Sequence, residues 1–232
     1  MAHKHHLIVN NDPKAVGAEA FRTLRTNLQF TSPDRDLRTL LVTSAGPDEG
    51  KSTVVANLAV AWAQTGQQVI LVGCDLRKPV LHHIFPIPNA PGLTSLLTGQ
   101  CELEDVVLDS GIDNLKVIPS GPIPPNPAEL LQSKAMTEVI GSLREQSDIV
   151  IFDGAPAIAV TDAAVLASQV DGTLLVVHAH EVPRDIALHA KNLLEQANAH
   201  ILGVVLNRVR PQDQKGYAYY YYYSHEDKGI SG

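Results

Sequence analysis

Eight residues, Ala45-Gly46-Pro47-Asp48-Glu49-Gly50-Lys51-Ser52, carry the strongest chemical signal in the chain. They have the spacing of a phosphate-binding loop, with Ala45 where a first glycine is commoner. Such a loop has a definite physics. A strand ends, a tight turn points backbone N–H groups inward, and a helix begins, so amides and the positive helix end cradle phosphate oxygens. Lys51 then reaches the β- and γ-phosphates as a point charge, and the Ser52 hydroxyl offers Mg²⁺ a hard oxygen. Gly46, Asp48, Glu49, Gly50 and Thr53 complete the expected nucleotide-binding set. The side chains of Asp48 and Glu49 are expected to point outward, because only their amides are needed. The loop follows a predicted strand, Leu37 to Thr43, and opens a predicted helix, Lys51 to Gln64. That setting separates it from an ordinary glycine-bearing turn.

Two carboxylates stand where a metal would need them. Asp153 follows Ile149-Val150-Ile151-Phe152, and Asp75 lies just past the run Val69 to Gly73. A carboxylate at the end of a buried strand beside the loop can order Mg²⁺-bound waters. For Asp153 alone, a cap or turn role is the competing reading. Asn207, just past the last predicted strand, is placed to read adenine or else simply ends the strand, and Arg208 beside it is assigned to the same nucleotide. The expected cofactors are ATP and Mg²⁺. Arg77 and Lys78 stay open between binding phosphate or tail and forming a solvated turn.

All six tyrosines of the chain lie in one window: Tyr217, Tyr219, Tyr220, Tyr221, Tyr222 and Tyr223. Five in a row have no alternation with which to hide one face of a strand, and the flanks are polar and glycine-bearing. A flexible tail over 210–232, with accessible phenols, fits better. Each phosphate added there would carry about −1.5 to −2 charges. A nucleotide site and a block of phosphoacceptors in one chain suggest self-phosphorylation.

The elements that must position these groups alternate between strand and helix. Further strands are predicted at Leu115 to Ile118, Asp148 to Phe152, Gly172 to Val177 and Ile201 to Leu206. Helices are predicted at Pro13 to Gln29, Ser133 to Gln146, Asp162 to Ala167 and Pro183 to Ala197. In the second of these helices Met136, Val139, Ile140 and Leu143 share a face. The strands are continuous in Val, Ile and Leu, which suits a parallel sheet covered on both faces. The stretch from Gly121 to Ala128, rich in proline, reads as a loop. The formal net charge of −7 gives no broad basic surface, so nucleic acid is not an expected partner. No apolar run approaches the ~20 residues of a membrane span. Met1 to His6 lack a signal-peptide core. Cys74 and Cys101 read as free thiols. The expected location is cytoplasmic.

With these parts in view, the chain resembles the bacterial tyrosine kinases of capsule and exopolysaccharide assembly, from about Pro13 to Tyr223. Thr43 to Thr53 resembles the Walker A motif, Cys74 to Pro79 most of the second Walker motif, and Ile149 to Pro156 Walker B. The helix Glu19-Ala20-Phe21-Arg22-Thr23-Leu24-Arg25 is similar to the family's oligomerisation motif, and the tyrosine cluster matches too. The resemblance implies an α/β, P-loop NTPase fold, with a mainly parallel central sheet and helices on both faces. It implies a kinase domain over 1–209, with an oligomerisation helix at 13–30. It implies Lys51, Asp75 and Asp153 as catalytic residues, and Ser52, Asp75 and Asp153 around the metal. Tyr217 and Tyr219 to Tyr223 would be the phosphoacceptors. Glu19, Arg22 and Arg25, three residues apart on one helix face, would join subunits into a ring. The implied partners are other copies of the chain, a membrane-embedded activator with a cytoplasmic tail that brings it to the inner face of the membrane, and a cognate phosphatase.

One departure matters. The family's second motif usually reads Asp-x-Asp, and its first Asp is thought to take the tyrosine proton. Gly73 stands there, while Asp75 matches the second. Transfer is expected to persist but to be slowed, with Asp75 partly substituting. Two other functions fit the same fold: a positioning ATPase, whose signature lysine is here Gly46, and a non-catalytic nucleotide-gated interaction module.

Overall fold

The computed structural model describes residues 7–31 and 36–210. Within them, seven strands form one sheet: β1 Thr39–Ser44, β2 Val69–Gly73, β3 Leu108–Ile112, β4 Leu115–Ile118, β5 Ile149–Asp153, β6 Gly172–His178 and β7 Ile201–Asn207. Their order across the sheet is β3-β4-β2-β5-β1-β6-β7. All pairings are parallel except β3 with β4. The helices are α1 Ile8–Asn11, α2 Val16–Thr31, α3 Lys51–Ala63, α4 Leu81–Ile84, α5 Leu93–Leu97, α6 Leu103–Val106, α7 Pro127–Gln132, α8 Lys134–Gln146, α9 Asp162–Ala167 and α10 Arg184–Gln196.

Every residue of β1, β2, β5 and β6 is buried, so both faces of the central sheet need cover. Successive side chains alternate between two cores. Leu40 and Val42 of β1 and Ile149 and Ile151 of β5 pack with Val54, Leu58 and Trp62 of α3 and Leu28 of α2. Leu41, Val150 and Phe152 pack on the other side with Met136, Ile140 and Leu143 of α8, Leu166 of α9 and Leu194 of α10. The face expected on α8 is the one that it buries. Ser133 lies outside that helix as its N-cap, its Oγ accepting the Met136 amide at 3.2 Å.

The amino ends of the strands are pinned by Asp171. Its Oδ2 accepts the amides of Arg38 and Thr39 and the Thr39 hydroxyl, at 3.1, 2.8 and 2.7 Å. This joins the start of β1 to the start of β6, so their far ends arrive in fixed register. β1 therefore delivers the loop that follows it between the carboxyl ends of β5 and β6, where open α/β sheets bind ligands.

The sequence reading passes over β3 and the short helices α1, α4, α5, α6 and α7. β3 is an antiparallel edge strand that buries only Ser110 and carries Gly111 at φ 77°, so it has no apolar run to announce it. The proline-rich loop is shorter than expected, because Pro127 begins α7. A first-turn proline loses nothing there, since its missing N–H has no helical partner. Among the described residues, no helix is long and apolar enough to cross a membrane.

Candidate functional site

The loop after β1 turns through two left-handed residues, Asp48 at φ 61° and Gly50 at φ 84°. Gly50 is the N-cap of α3, so the loop leads directly onto the amino end of that helix, the end that favours anions. A side chain at Gly50 would collide with Asn207 Nδ2 as well as strain the backbone. The Ser44 hydroxyl donates to Gly46 O at 2.7 Å and fixes the other end of the turn.

Four side chains meet at the start of α3. Lys51 Nζ lies 2.9 Å from Asp75 Oδ2, 3.2 Å from Asp153 Oδ1 and 3.1 Å from Ser52 Oγ. All four residues are buried. Burial disfavours the Lys51 ammonium, yet the charges of Asp153 and Asp75 and their hydrogen bonds outweigh it and raise its pKa. Burial raises the Asp153 pKa, against the opposing pull of Lys51 and a hydrogen bond from Ser52. Asp75 is set by its own turn, its Oδ1 accepting the Lys78 amide at 2.9 Å. Ser52, Asp75 and Asp153 thus present hard oxygens around one point, now held by the Lys51 ammonium. The donor set fits Mg²⁺.

Glu49 corrects an expectation. Asp48 is exposed, but Glu49 points inward and is 3% exposed. Its carboxylate accepts the Gly46 amide and, at 3.2 Å, the His178 amide. Burial still raises its pKa, with those bonds opposing. Asn207, expected to read adenine or to end the strand, ends β7, where its Nδ2 donates to Glu49 O at 2.8 Å and its Oδ1 accepts the Arg208 amide. Its amide is therefore engaged with protein. Arg208 is exposed, at φ 57°, and Thr53 is half-buried on the first turn of α3.

Gly73 sits at the carboxyl end of β2, opposite Asp153 in the sheet register. A Cβ built there would lie 2.6 Å from Ser120 Oγ and 3.0 Å from Ser120 N. A larger residue at this position needs Ser120 to give way. Cys74 is fully buried, and burial, followed by the charges of Asp153 and Asp75, pushes its thiol pKa well up. Sequence reasoning missed the partner of Arg77. Its Nε and NH2 donate to the buried Asp162 carboxylate at 2.8 and 3.0 Å, which ties the segment carrying Asp75 to α9. The signal was spread over 85 residues of chain, so no local pattern revealed it.

On α2, Glu19 and Arg22 pair with each other at 2.9 Å, and Arg22 also donates to Pro13 O. Arg25 turns inward instead, its NH1 donating to Ala61 O of α3 at 2.9 Å. The three therefore do not form one free stripe. The phosphoacceptors Tyr217 and Tyr219 to Tyr223 lie outside the described residues.

The family description "AAA domain" matches residues 46–182. The tyrosine-protein kinase YwqD of Bacillus subtilis is 42% identical over 215 residues, 93% of this chain and 91% of that protein. The chain belongs to the bacterial tyrosine-protein kinases. Among solved structures, the chimerical protein CapA2B2 superposes with a TM-score of 0.85 at 41% identity, covering 88% of this chain and 89% of that one. The kinase domain of Escherichia coli tyrosine kinase ETK gives 0.84 at 34%, covering 88% and 82%. More distant is the septum site-determining protein MinD of Pyrococcus horikoshii complexed with Mg-ADP, at 0.64 and 25%, covering 77% and 76%. The P-loop fold and the mainly parallel sheet are thus shared with these proteins, and a relative of this fold binds nucleotide with Mg²⁺.

Proposed function

We propose that the chain is an ATP-dependent protein-tyrosine kinase that phosphorylates its own Tyr217 and Tyr219 to Tyr223. The observation that carries this reading is the meeting of Lys51, Asp75, Asp153 and Ser52 at the amino end of α3. The family membership and the tyrosine cluster add to it. The domain boundaries belong to the same reading: a kinase unit over 1–209 and a tail over 210–232.

In this scheme the amides from Asp48 to Thr53 bind the triphosphate, and Lys51 leaves the carboxylates to bind its β- and γ-oxygens. Ser52, Asp75 and Asp153 would hold Mg²⁺, which when bound would neutralise the phosphate charge. A tyrosine oxygen forms the new P–O bond, the β,γ-bridging bond breaks, ADP departs, and the phenolic proton passes to Asp75. A general base contributes roughly 10²–10⁴ in rate. Gly73 leaves Asp75 with that task, so transfer is expected to be slower than an additional carboxylate would give. Arg208 flanks the nucleotide, and Asn207, bonded to Glu49 O, serves it through the loop.

Glu19, Arg22 and Arg25 contribute to a ring-forming assembly, with Arg25 acting through the α2–α3 packing. A membrane-embedded activator with a cytoplasmic tail recruits and stimulates the chain, a cognate phosphatase reverses it, and the cycle regulates capsule or exopolysaccharide synthesis. The likeness to CapA2B2 and to ETK supports the assembly and the activator in this reading. The likeness to MinD favours a second reading as a positioning ATPase, although Gly46 stands at the signature-lysine position. Gly73 favours a third, a non-catalytic module. Incubation with ATP and Mg²⁺ separates them. Phosphotyrosine in the tail supports the kinase, phosphate release without it the ATPase, and neither the module.

A further inference from the structure

The phosphate loop contains a carboxyl group that phosphate binding does not call for. A buried negative charge beneath an anion site opposes the anion, so its position needs another reason. Its bonds give one. The Glu49 carboxylate accepts the amide of Gly46 within the loop and that of His178 at the end of β6. The Glu49 carbonyl accepts Asn207 Nδ2, from the end of β7, at 2.8 Å. One residue of the loop is thereby fastened to two neighbouring strands, at the paired positions His178 and Asn207. Those strand ends are joined to each other, since the Ala179 amide donates to Asn207 O at 2.9 Å. His178 is steadied in turn by its own Nδ1, 2.9 Å from Glu181 Oε2.

Both glycines of the loop answer to this fastening. A Cβ at Gly46 would sit 3.2 Å from Glu49 Oε1, and one at Gly50 would collide with Asn207 Nδ2. The small residues that let phosphate approach from one side also let the Glu49–Asn207 pair close from the other. The loop is held from beneath by protein groups, leaving its remaining amides for the ligand.

We propose that Glu49 and Asn207 form a latch that holds the phosphate loop open for nucleotide by bolting it to the ends of β6 and β7. Both are then positioning residues, acting on nucleotide through the loop rather than by touching it. The proposal rests on the nucleotide-binding reading above and specifies how that site is kept ready. Preorganisation of this kind shows in affinity, because a loosened loop must be ordered when the ligand binds.

The test uses the full chain, its Glu49→Gln, Asn207→Ala and doubly substituted forms, and a fluorescent ribose-labelled ATP analogue with Mg²⁺. Binding is measured where circular dichroism shows each form folded. Each single substitution removes an acceptor or donor from the latch and is expected to raise Kd about tenfold, the effect of one such bond. The double form should lose well under the product of the two, because both residues hold the same loop. In autophosphorylation, KM should rise by more than kcat falls. Asn207→Ala acts from a half-buried strand end, so it decides the matter even where Glu49→Gln fails to fold. Single forms that bind like the parent, or losses that multiply fully, overturn the latch. A parent that binds no nucleotide overturns the nucleotide reading and the latch together.

Discussion

Replacing Lys51 by Met tests the charge balance at the start of α3. The ammonium lies 2.9 and 3.2 Å from two buried carboxylates. With an effective dielectric of about 20, each attraction is on the order of 5 kcal/mol. Desolvation of the three charges offsets most of that. What remains measurable is the cost of stranding the carboxylates, about 3–5 kcal/mol for a broken buried pair. Asp153 limits the loss by taking up a proton, since burial already raises its pKa. For a chain of this size each kcal/mol is about 2–4 °C, so Tm should fall by roughly 6–20 °C at pH 8. The variant should also gain a property. Asp75, Asp153 and the Ser52 hydroxyl, no longer facing an ammonium, should bind Mn²⁺ without nucleotide. Millimolar Mn²⁺ at 100 times its Kd would return about 2.7 kcal/mol. In the parent the ammonium holds that position, and Mn²⁺ alone should leave Tm unchanged. Scanning fluorimetry of both forms, with and without Mn²⁺, is the assay. An unchanged Tm in the variant, or equal stabilisation of both forms by Mn²⁺, would refute the reasoning.

Gly73→Asp should cost roughly 1–3 kcal/mol in urea unfolding, the range for overpacking a core, because Ser120 occupies the space. Adding Ser120→Ala should recover part of that, and a Gly73→Asp chain as stable as the parent would contradict the geometry. In the native chain at pH 8, iodoacetamide should modify Cys101 well before the fully buried Cys74, which peptide mass spectrometry resolves. The raised Cys74 pKa has a linked effect on stability. Its contribution is full below the ordinary thiol value of about 8.5 and is lost as pH rises from there towards the folded value, so Cys74→Ala should flatten the alkaline fall in Tm.

The fold was legible because its core strands announce themselves. Val69 to Gly73 and Ile149 to Phe152 are apolar without interruption, and only burial on both faces permits that. The loop from Ala45 to Ser52 was legible because its amides, glycines and lysine are local in sequence. Asp75 and Asp153 followed from their places at strand ends. Long-range side-chain bonding was not legible. Glu49 was expected to face outward because phosphate binding needs only its amide, and its burial depends on a His178 amide 129 residues away. Arg25 was read with the Glu19 stripe because helix periodicity cannot say which side of α2 faces α3. Arg77 finds its forked partner in Asp162, on an element that no local pattern links to it. β3 buries only Ser110 and so has no apolar run to show, α7 begins inside the proline-rich stretch, and α1, α4, α5 and α6 are too short for helical periodicity.

The central claim is that a terminal phosphate bound over the Gly50–Lys51 turn passes to phenols of the same protein. Incubation with γ-¹⁸O-labelled ATP and Mg²⁺, followed by mass spectrometry of the peptide spanning 217–223, measures this directly. The account predicts labelled phosphotyrosine in that peptide from the parent and none from Lys51→Met alone. An unlabelled peptide from a parent shown to hold ATP, or equal labelling of the Lys51→Met chain, would contradict it.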